Sequence, residues 1–182
     1  MKILLKKNVK FIRQDVEDAW IISLNDMKWD NVILPHDWAV TQPFCEDNSS
    51  GTGYLPGGTG WYRIHFDLPE QIQGKNISVV FEGVYKHAQV WCNQNYLGQW
   101  ANGYTTFAFD LTGLVREKEN VLAIKVSHED ISDSRWYTGT GIERPVYLHI
   151  QEKVHAQEIE SKVVMLAADR RNAVLEISDV IV

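Results

Sequence analysis

Trp61-Tyr62-Arg63-Ile64-His65-Phe66-Asp67-Leu68-Pro69 is the stretch whose reading decides the fold. Tyr62, Ile64, Phe66 and Leu68 are apolar at every second position, with Arg63, His65 and Asp67 between them. Successive side chains of a strand point to opposite faces, so this spacing predicts a half-buried β-strand with its polar set outward. Pro69 cannot donate to a ladder and ends the strand. The same alternation recurs on both sides of this stretch. Residues 77–84 carry Ile77, Val79 and Phe81 on one face, just after Gly74. Residues 88–92 and 96–100 flank Asn93-Gln94-Asn95, a polar turn that reads as a hairpin tip. Residues 105–111, 120–127 and 145–150 supply three more strands, the second with Leu122, Ile124 and Val126 inward. Asp110 sits at a cap-like position for a short helix or turn over 110–116. Helical periodicity is otherwise scarce. Short strands at regular spacing without intervening helices predict an all-β protein, a jelly-roll-type β-sandwich in preference to a barrel.

The chain has 182 residues, enough for one domain with a proper core and a fragment of a second. A formal net charge of -6 excludes nucleic acid as a natural partner, because a phosphate backbone is held by clustered Lys and Arg. The one basic cluster, Lys2, Lys6, Lys7 and Lys10, is interleaved with Ile3, Leu4 and Leu5 and lacks the long apolar run and small-residue cleavage site of a secretory signal. No run reaches the roughly 20 apolar residues of a membrane span. The expectation is a soluble cytoplasmic protein with no membrane association. Cys45 and Cys92 are too few for a disulfide framework, and no Cys or His pair has the short spacing of a metal site, so neither a metal nor another cofactor is expected.

Two long loops, residues 35–60 and 128–141, are rich in Gly and aromatic residues, which suggests loops packed against something. Beyond residue 152 the pattern changes. Residues 154–167 and 173–182 are two extended segments joined by a charged turn at Asp169, Arg170, Arg171 and Asn172. A lone hairpin is marginal in water, so residues 153–182 are expected to begin a second β domain inside which the chain stops, with residues 1–152 as the first. The other reading is that this hairpin completes the sandwich.

Several segments, taken in order, resemble the sugar-binding domain of family 2 glycoside hydrolases. They are Trp29-Asp30-Asn31-Val32-Ile33-Leu34-Pro35-His36-Asp37-Trp38, then Gly53-Tyr54-Leu55-Pro56-Gly57-Gly58-Thr59-Gly60-Trp61-Tyr62-Arg63 and Phe81-Glu82-Gly83-Val84-Tyr85, followed by Val90-Trp91-Cys92-Asn93 with Leu97-Gly98, Gly103-Tyr104-Thr105-Thr106-Phe107, Asp110-Leu111-Thr112 and residues 134–144. The resemblance covers roughly residues 20–150, and the tail is similar to the start of the immunoglobulin-like domain that follows in the family. The β-galactosidase branch fits better than the β-glucuronidase branch, chiefly through Leu34-Pro35-His36-Asp37-Trp38 and Ser134-Arg135-Trp136-Tyr137. Glu143 departs from the pattern, since an aromatic residue often precedes the Arg there, and so does Cys92 beside Asn93.

The resemblance implies that two catalytic glutamates lie in a downstream TIM barrel, so no residue of this chain is assigned a catalytic role. It also implies that a loop before the Gly-Ile-x-Arg motif reaches over the barrel mouth. Here that loop is Asp133, Ser134, Arg135, Trp136 and Tyr137, and Arg135, Asp133, Trp136 and Tyr137 are the candidates for contact with a β-galactoside-like sugar. The competing reading has Trp136 and Tyr137 packing an interdomain seam while Arg135 pairs with a carboxylate. His36 and Asp37 are further candidates; adjacent strand positions point oppositely, so a shared metal is disfavoured and a role in shaping the pocket rim or domain interface is expected. The glycines of residues 51–60 lack the ending of a phosphate loop. Arg144 is expected to lock a strand to its neighbour. The partners implied are a carbohydrate and the TIM barrel of the same chain, and the family leaves room for a homo-oligomer. Two rival readings are an independent carbohydrate-binding module, with Trp100 or Trp136 as a stacking platform, and a purely structural brace. Seven Trp suit either use, since aromatic rings fill cores as well as stack on sugars.

Overall fold

A computed structural model describes residues 1–70, 72, 74–129, 137–166 and 173–181, with side chains described as far as residue 155. The alternating segments form two antiparallel sheets. The larger contains β2 (Val9–Ile12), β3 (Asp30–Val32), β5 (Gly58–Phe66), β7 (Ala88–Cys92), β8 (Asn95–Trp100) and β10 (Asn120–His128), in the order β3-β2-β5-β10-β7-β8. The smaller contains β1 (Lys2–Leu4), β6 (Asn76–Phe81), β9 (Phe107–Asp110) and β12 (Val146–Gln151), in the order β1-β12-β6-β9. The non-sequential strand order, with the first strand beside the last, is that of a jelly-roll-type sandwich. β4 (His36–Asp37) and β11 (Gly141–Ile142) pair separately at one end.

The inward sets expected from the alternation meet in one core. Tyr62, Ile64 and Phe66 from β5, Leu122, Ile124 and Val126 from β10, and Val90 and Cys92 from β7 pack with Ile77, Val79 and Phe81 from β6 and Val146, Leu148 and Ile150 from β12. Burial pushes the Cys92 thiol up to about 12, so it behaves as a small apolar side chain. The hairpin tip is a two-residue turn, with Asn93 at φ 46° and Gln94 at φ 75°. Two positive φ values match the right-handed twist of the flanking strands. Asn93 is buried, and its amide donates to Leu114 O and Asn120 Oδ1, each at 2.9 Å, while its Oδ1 accepts from Val121 N at 2.9 Å.

Some features differ from the sequence expectation. β1, β2 and β3 lie ahead of the first alternating run, each only three or four residues long, too short for period two to stand out. Of the short helix or turn expected over 110–116, the structure shows the turn: Asp110 Oδ1 accepts from Thr112 N at 2.9 Å and closes the chain on itself. The largest difference is the polar face of β5. Arg63 is completely buried, because residues 13–29 cross over the outer face of the six-stranded sheet. There Ala19 and Trp29 pack on Trp61 and Ala123. Arg63 makes its burial tolerable by donating to Asp26 Oδ2 at 2.7 Å, Ala19 O at 2.7 Å, Ile21 O at 2.9 Å and Ile22 O at 3.2 Å. His65 Nε2 lies 2.7 Å from the same Asp26 oxygen.

β13 (Ala156–Leu166) and β14 (Ala173–Ile181) pair with each other as a two-stranded antiparallel sheet and, among the described residues, with no other strand. The expected charged turn between them lies outside the described residues. No helix of the described chain is long and apolar enough to cross a membrane.

Burial pushes the Asp26 carboxyl up, but hydrogen bonds from Arg63 and His65 outweigh this and hold it below the usual carboxylate range. Its contribution to stability is therefore present above the unfolded carboxylate range and is lost as pH falls through the lower folded value. Replacing Arg63 with Ala strands a buried carboxylate and frees three carbonyls, and is expected to cost about 3–5 kcal/mol in urea unfolding. A loss under about 1 kcal/mol would mean that the 13–29 segment is held by its apolar contacts alone.

Candidate functional site

At the end of the sandwich where β4 pairs with β11, the two long loops converge. His36 and Asp37 diverge as neighbours on a strand do. The His36 ring turns inward, with its centroid 4.8 Å from Phe11 and its Nδ1 2.9 Å from the Tyr62 hydroxyl. The Tyr62 hydroxyl also donates to His36 O at 3.2 Å. Burial lowers the His36 pKa, against the pull of Asp37 and Asp30, so the imidazole is neutral at pH 7. Burial raises the Tyr62 hydroxyl well above its ordinary range, which leaves it a neutral hydrogen-bonding group.

Asp37 turns the other way and ties three segments together. Its Oδ1 accepts from Ala39 N at 2.9 Å, at the start of the 3₁₀ turn Ala39–Thr41. Its Oδ2 accepts from the Tyr137 hydroxyl at 2.5 Å and from Thr140 N at 3.2 Å. Thr140 is fixed in turn: its Oγ1 lies 3.0 Å from Nδ1 of the buried His128, at the far end of β10. The two strand ends that bound the second loop are thereby joined to the first loop through one carboxylate.

Gly139 and Gly141 make this knot sterically feasible. At Gly141, with φ +135°, a Cβ would stand 2.4 Å from His36 O and 2.5 Å from the Tyr62 hydroxyl oxygen. At Gly139, with φ +101°, a Cβ would overlap the Glu143 carboxyl. Both positions require a backbone conformation that L side chains rarely adopt. Glu143 occupies the space that Gly139 leaves, and its Oε1 is buried without a hydrogen-bond partner. Burial, reinforced by the charge of Asp37 and opposed by Arg144 and the Thr140 amide, pushes the Glu143 carboxyl up to about 8. Burial and the Asp37 contact also push the Tyr137 hydroxyl up.

Of the residues singled out from the sequence, His36, Asp37 and Tyr137 are brought together here, whereas Asp133, Ser134, Arg135 and Trp136 lie outside the described residues. Arg144 is exposed and, among the described residues, its side chain donates from Nη1 to Tyr104 O, a loop carbonyl, at 3.3 Å. Its backbone N donates to Gly83 O at 3.3 Å. Trp100 is 37% exposed, but its ring stacks on Phe107 at 5.5 Å and its Nε1 donates to Thr105 Oγ1 at 3.0 Å. Glu143, Thr140 and His128 were not assigned to this site from the sequence. The flanking glycines of Gly139-Thr140-Gly141 were the available signal.

The fold is a jelly-roll-type β-sandwich with this loop rim at one end. Residues 12–152 match the family described as "Glycosyl hydrolases family 2, sugar binding domain". The chain is 38% identical over 160 residues to the β-galactosidase BoGH2A of Bacteroides ovatus, covering 86% of this chain and 19% of that protein. It is 34% identical over 143 residues to a putative β-glucuronidase of Formosa agariphila, covering 78% of this chain and 14% of that one. A family 2 glycosyl hydrolase from Bacteroides cellulosilyticus superposes with a TM-score of 0.92 at 32% identity, over 99% of this chain and 24% of that one. A β-glycosidase from Bacteroides vulgatus superposes with a TM-score of 0.90 at 34% identity, covering 100% of this chain and 24% of that one. The chain therefore belongs to glycoside hydrolase family 2, of which it carries the sugar-binding domain.

The Glu143 carboxyl generates a pH dependence. In the unfolded chain it loses its proton around its ordinary value of 4.5, while the folded chain keeps it to about 8. Across that window folding takes up a proton, so stability falls as pH rises. Glu143→Gln keeps the shape in a permanently neutral form and is expected to raise Tm over the parent at about pH 9, with little difference near pH 4. Parallel Tm profiles for the two proteins would show that Glu143 is ionised in the fold throughout.

Proposed function

We propose that residues 1–152 are the non-catalytic amino-terminal domain of a β-galactosidase-type glycoside hydrolase. In this reading the loop rim is one wall of the sugar pocket, and hydrolysis is carried out by a TIM barrel further along the same protein. The chain spans about a fifth of the length of the Bacteroides ovatus relative, which leaves ample sequence there for a separate catalytic domain. Residues 153–182 are then the opening hairpin of the immunoglobulin-like domain between the two. The higher identity to a protein named as a β-galactosidase than to one named as a putative β-glucuronidase favours a galactoside as substrate.

The observation that carries the reading is the Asp37 knot. Tyr137 directly follows the segment 133–136 that the family resemblance puts over the barrel mouth. Its hydroxyl is bonded to Asp37, and Thr140 is bonded to the same oxygen, so Tyr137 itself is tied to the sandwich. Asp133, Arg135 and Trp136 are the proposed sugar contacts, with Tyr137, Asp37 and His36 as the rim that supports them. The two cysteines are free, with Cys45 exposed, which fits a reducing cytoplasmic setting. Assembly into a homo-oligomer is compatible with this reading and is not required by it.

The test compares this chain with the product of its gene read through past Val182, using p-nitrophenyl β-galactoside and p-nitrophenyl β-glucuronide. The longer product is expected to hydrolyse the galactoside with a kcat/KM at least about tenfold above the glucuronide, and this chain neither. A longer product that turns over no glycoside would overturn the hydrolase reading, and preference for the glucuronide would overturn its galactoside form.

A further inference from the structure

The outer face of the six-stranded sheet carries a second feature that the loop rim does not use. Beyond the cover formed by residues 13–29 lies a groove of about 420 Å³, lined among others by Asp15, Trp20, Trp61, Gln89, Trp91 and Lys125. Sheet register explains why these side chains meet. Trp61 on β5 stands opposite Lys125 on β10, and Lys125 stands opposite Gln89 on β7. One row along, Ala123 stands opposite Trp91, and Trp91 opposite Tyr96 on β8.

Ala123 has almost no side chain, and the rings of Trp61 and Trp91 close over it to 5.2 Å between centroids. Tyr96 continues the row at 5.3 Å from Trp91. Trp61 is buried, Trp91 and Trp20 are half-buried, and Tyr96 is 53% exposed. The result is an aromatic strip that runs from the covered centre of the sheet out to its open edge at β8. Polar groups flank the strip. Asp15 accepts from Trp61 Nε1 at 3.3 Å and from Lys125 Nζ at 2.8 Å, and the amides of Gln89 and the exposed Gln99 stand opposite each other on β7 and β8.

The rings are tilted, by 34° between Trp61 and Trp91 and 52° between Trp91 and Tyr96, so each pyranose along the strip would set its C–H face on one ring while its hydroxyls take the amide and carboxylate edge. Charge narrows the ligand. Asp15, Glu17 and Asp18 face the groove, with Lys125 the one cation among the described lining residues, so an acidic glycan would be repelled. An extended apolar partner would have to desolvate those carboxylates.

We propose that this groove is a binding site for a neutral oligosaccharide, with Trp91 and Tyr96 as the stacking platform and Gln89 and Asp15 as hydroxyl partners. Tyr96 lies outside the groove's lining and, in contact with Trp91, extends the aromatic strip toward the sheet edge at β8, so a chain longer than one sugar can follow it. It takes from the proposed function only the carbohydrate class of the ligand, and its test is independent of hydrolysis.

The 182-residue chain is titrated with β-1,4-galactohexaose and, separately, with the hexamer of galacturonic acid, by calorimetry and tryptophan fluorescence. The neutral hexamer is expected to bind, and Tyr96→Ala and Gln89→Ala, changes at partly exposed positions whose Tm is checked alongside, each to weaken it about fivefold or more. Phe44→Ala, at an exposed position outside both the groove lining and the aromatic strip, should bind as the parent does. No binding of the neutral hexamer at about 20 mM, equal binding by both groove variants, or tighter binding of the acidic hexamer would each overturn the proposal. So would self-association of the parent that Tyr96→Ala abolishes, which would make this face an interface between copies of the chain. Failure of the longer gene product to hydrolyse glycosides would leave the binding result standing.

Discussion

A guanidinium with no access to water organises one whole side of this domain. Arg63 projects from β5 on the face opposite the main core, where an ordinary sandwich would meet solvent, and it gathers the chain between β2 and β3 by bonding to three of its carbonyls and to Asp26. Residues 13–29 have no helix or strand of their own. A segment of that length without secondary structure stays in place only if its backbone groups find partners. Arg suits the task because its planar fork offers five donors in fixed directions and cannot shed its charge. With the segment seated, Trp29 and Ala19 cover Trp61, and the sheet acquires a second, smaller apolar cluster behind the first.

The knot at the other end follows the same logic with the charges reversed. There a carboxylate, Asp37, collects donors from two loops and a 3₁₀ turn. Glu143 beside it has no comparable set of donors, and the second negative charge is held off by a proton. Two neighbouring carboxyl groups in a partly dry site cannot both ionise cheaply, so one takes the structural role and the other stays neutral.

The sandwich was legible because its strands are long and clearly alternating: β5, β6, β7, β10 and β12 all fall within two or three residues of the expected spans. The hairpin tip was legible for the same reason, since Asn and Gln between two alternating runs have few other uses. β1 to β3 escaped notice because three or four residues do not display a period. Arg63 was misread as solvent-facing by the same rule that found its strand. Alternation tells which side of the sheet a residue occupies and says nothing of what lies on that side. At the rim, His36, Asp37 and Tyr137 were picked out through the family motif. Their meeting depends on a pairing between β4 and β11 about a hundred residues apart, which no local pattern encodes.

β1 is the edge strand of the smaller sheet and pairs with β12, so Lys2 lies opposite His149 and Leu4 opposite Tyr147. Read in the direction of synthesis, β1 waits for almost the whole of the domain before its partner strand is made. Until residue 151 has left the ribosome, β1 has no partner and β6 is paired on one side only. The nascent domain therefore spends nearly its whole synthesis with an open β edge. The charged, short character of Lys2–Leu4 fits that interval, since a strand of three residues led by a lysine is a poor template for pairing with another unfinished chain.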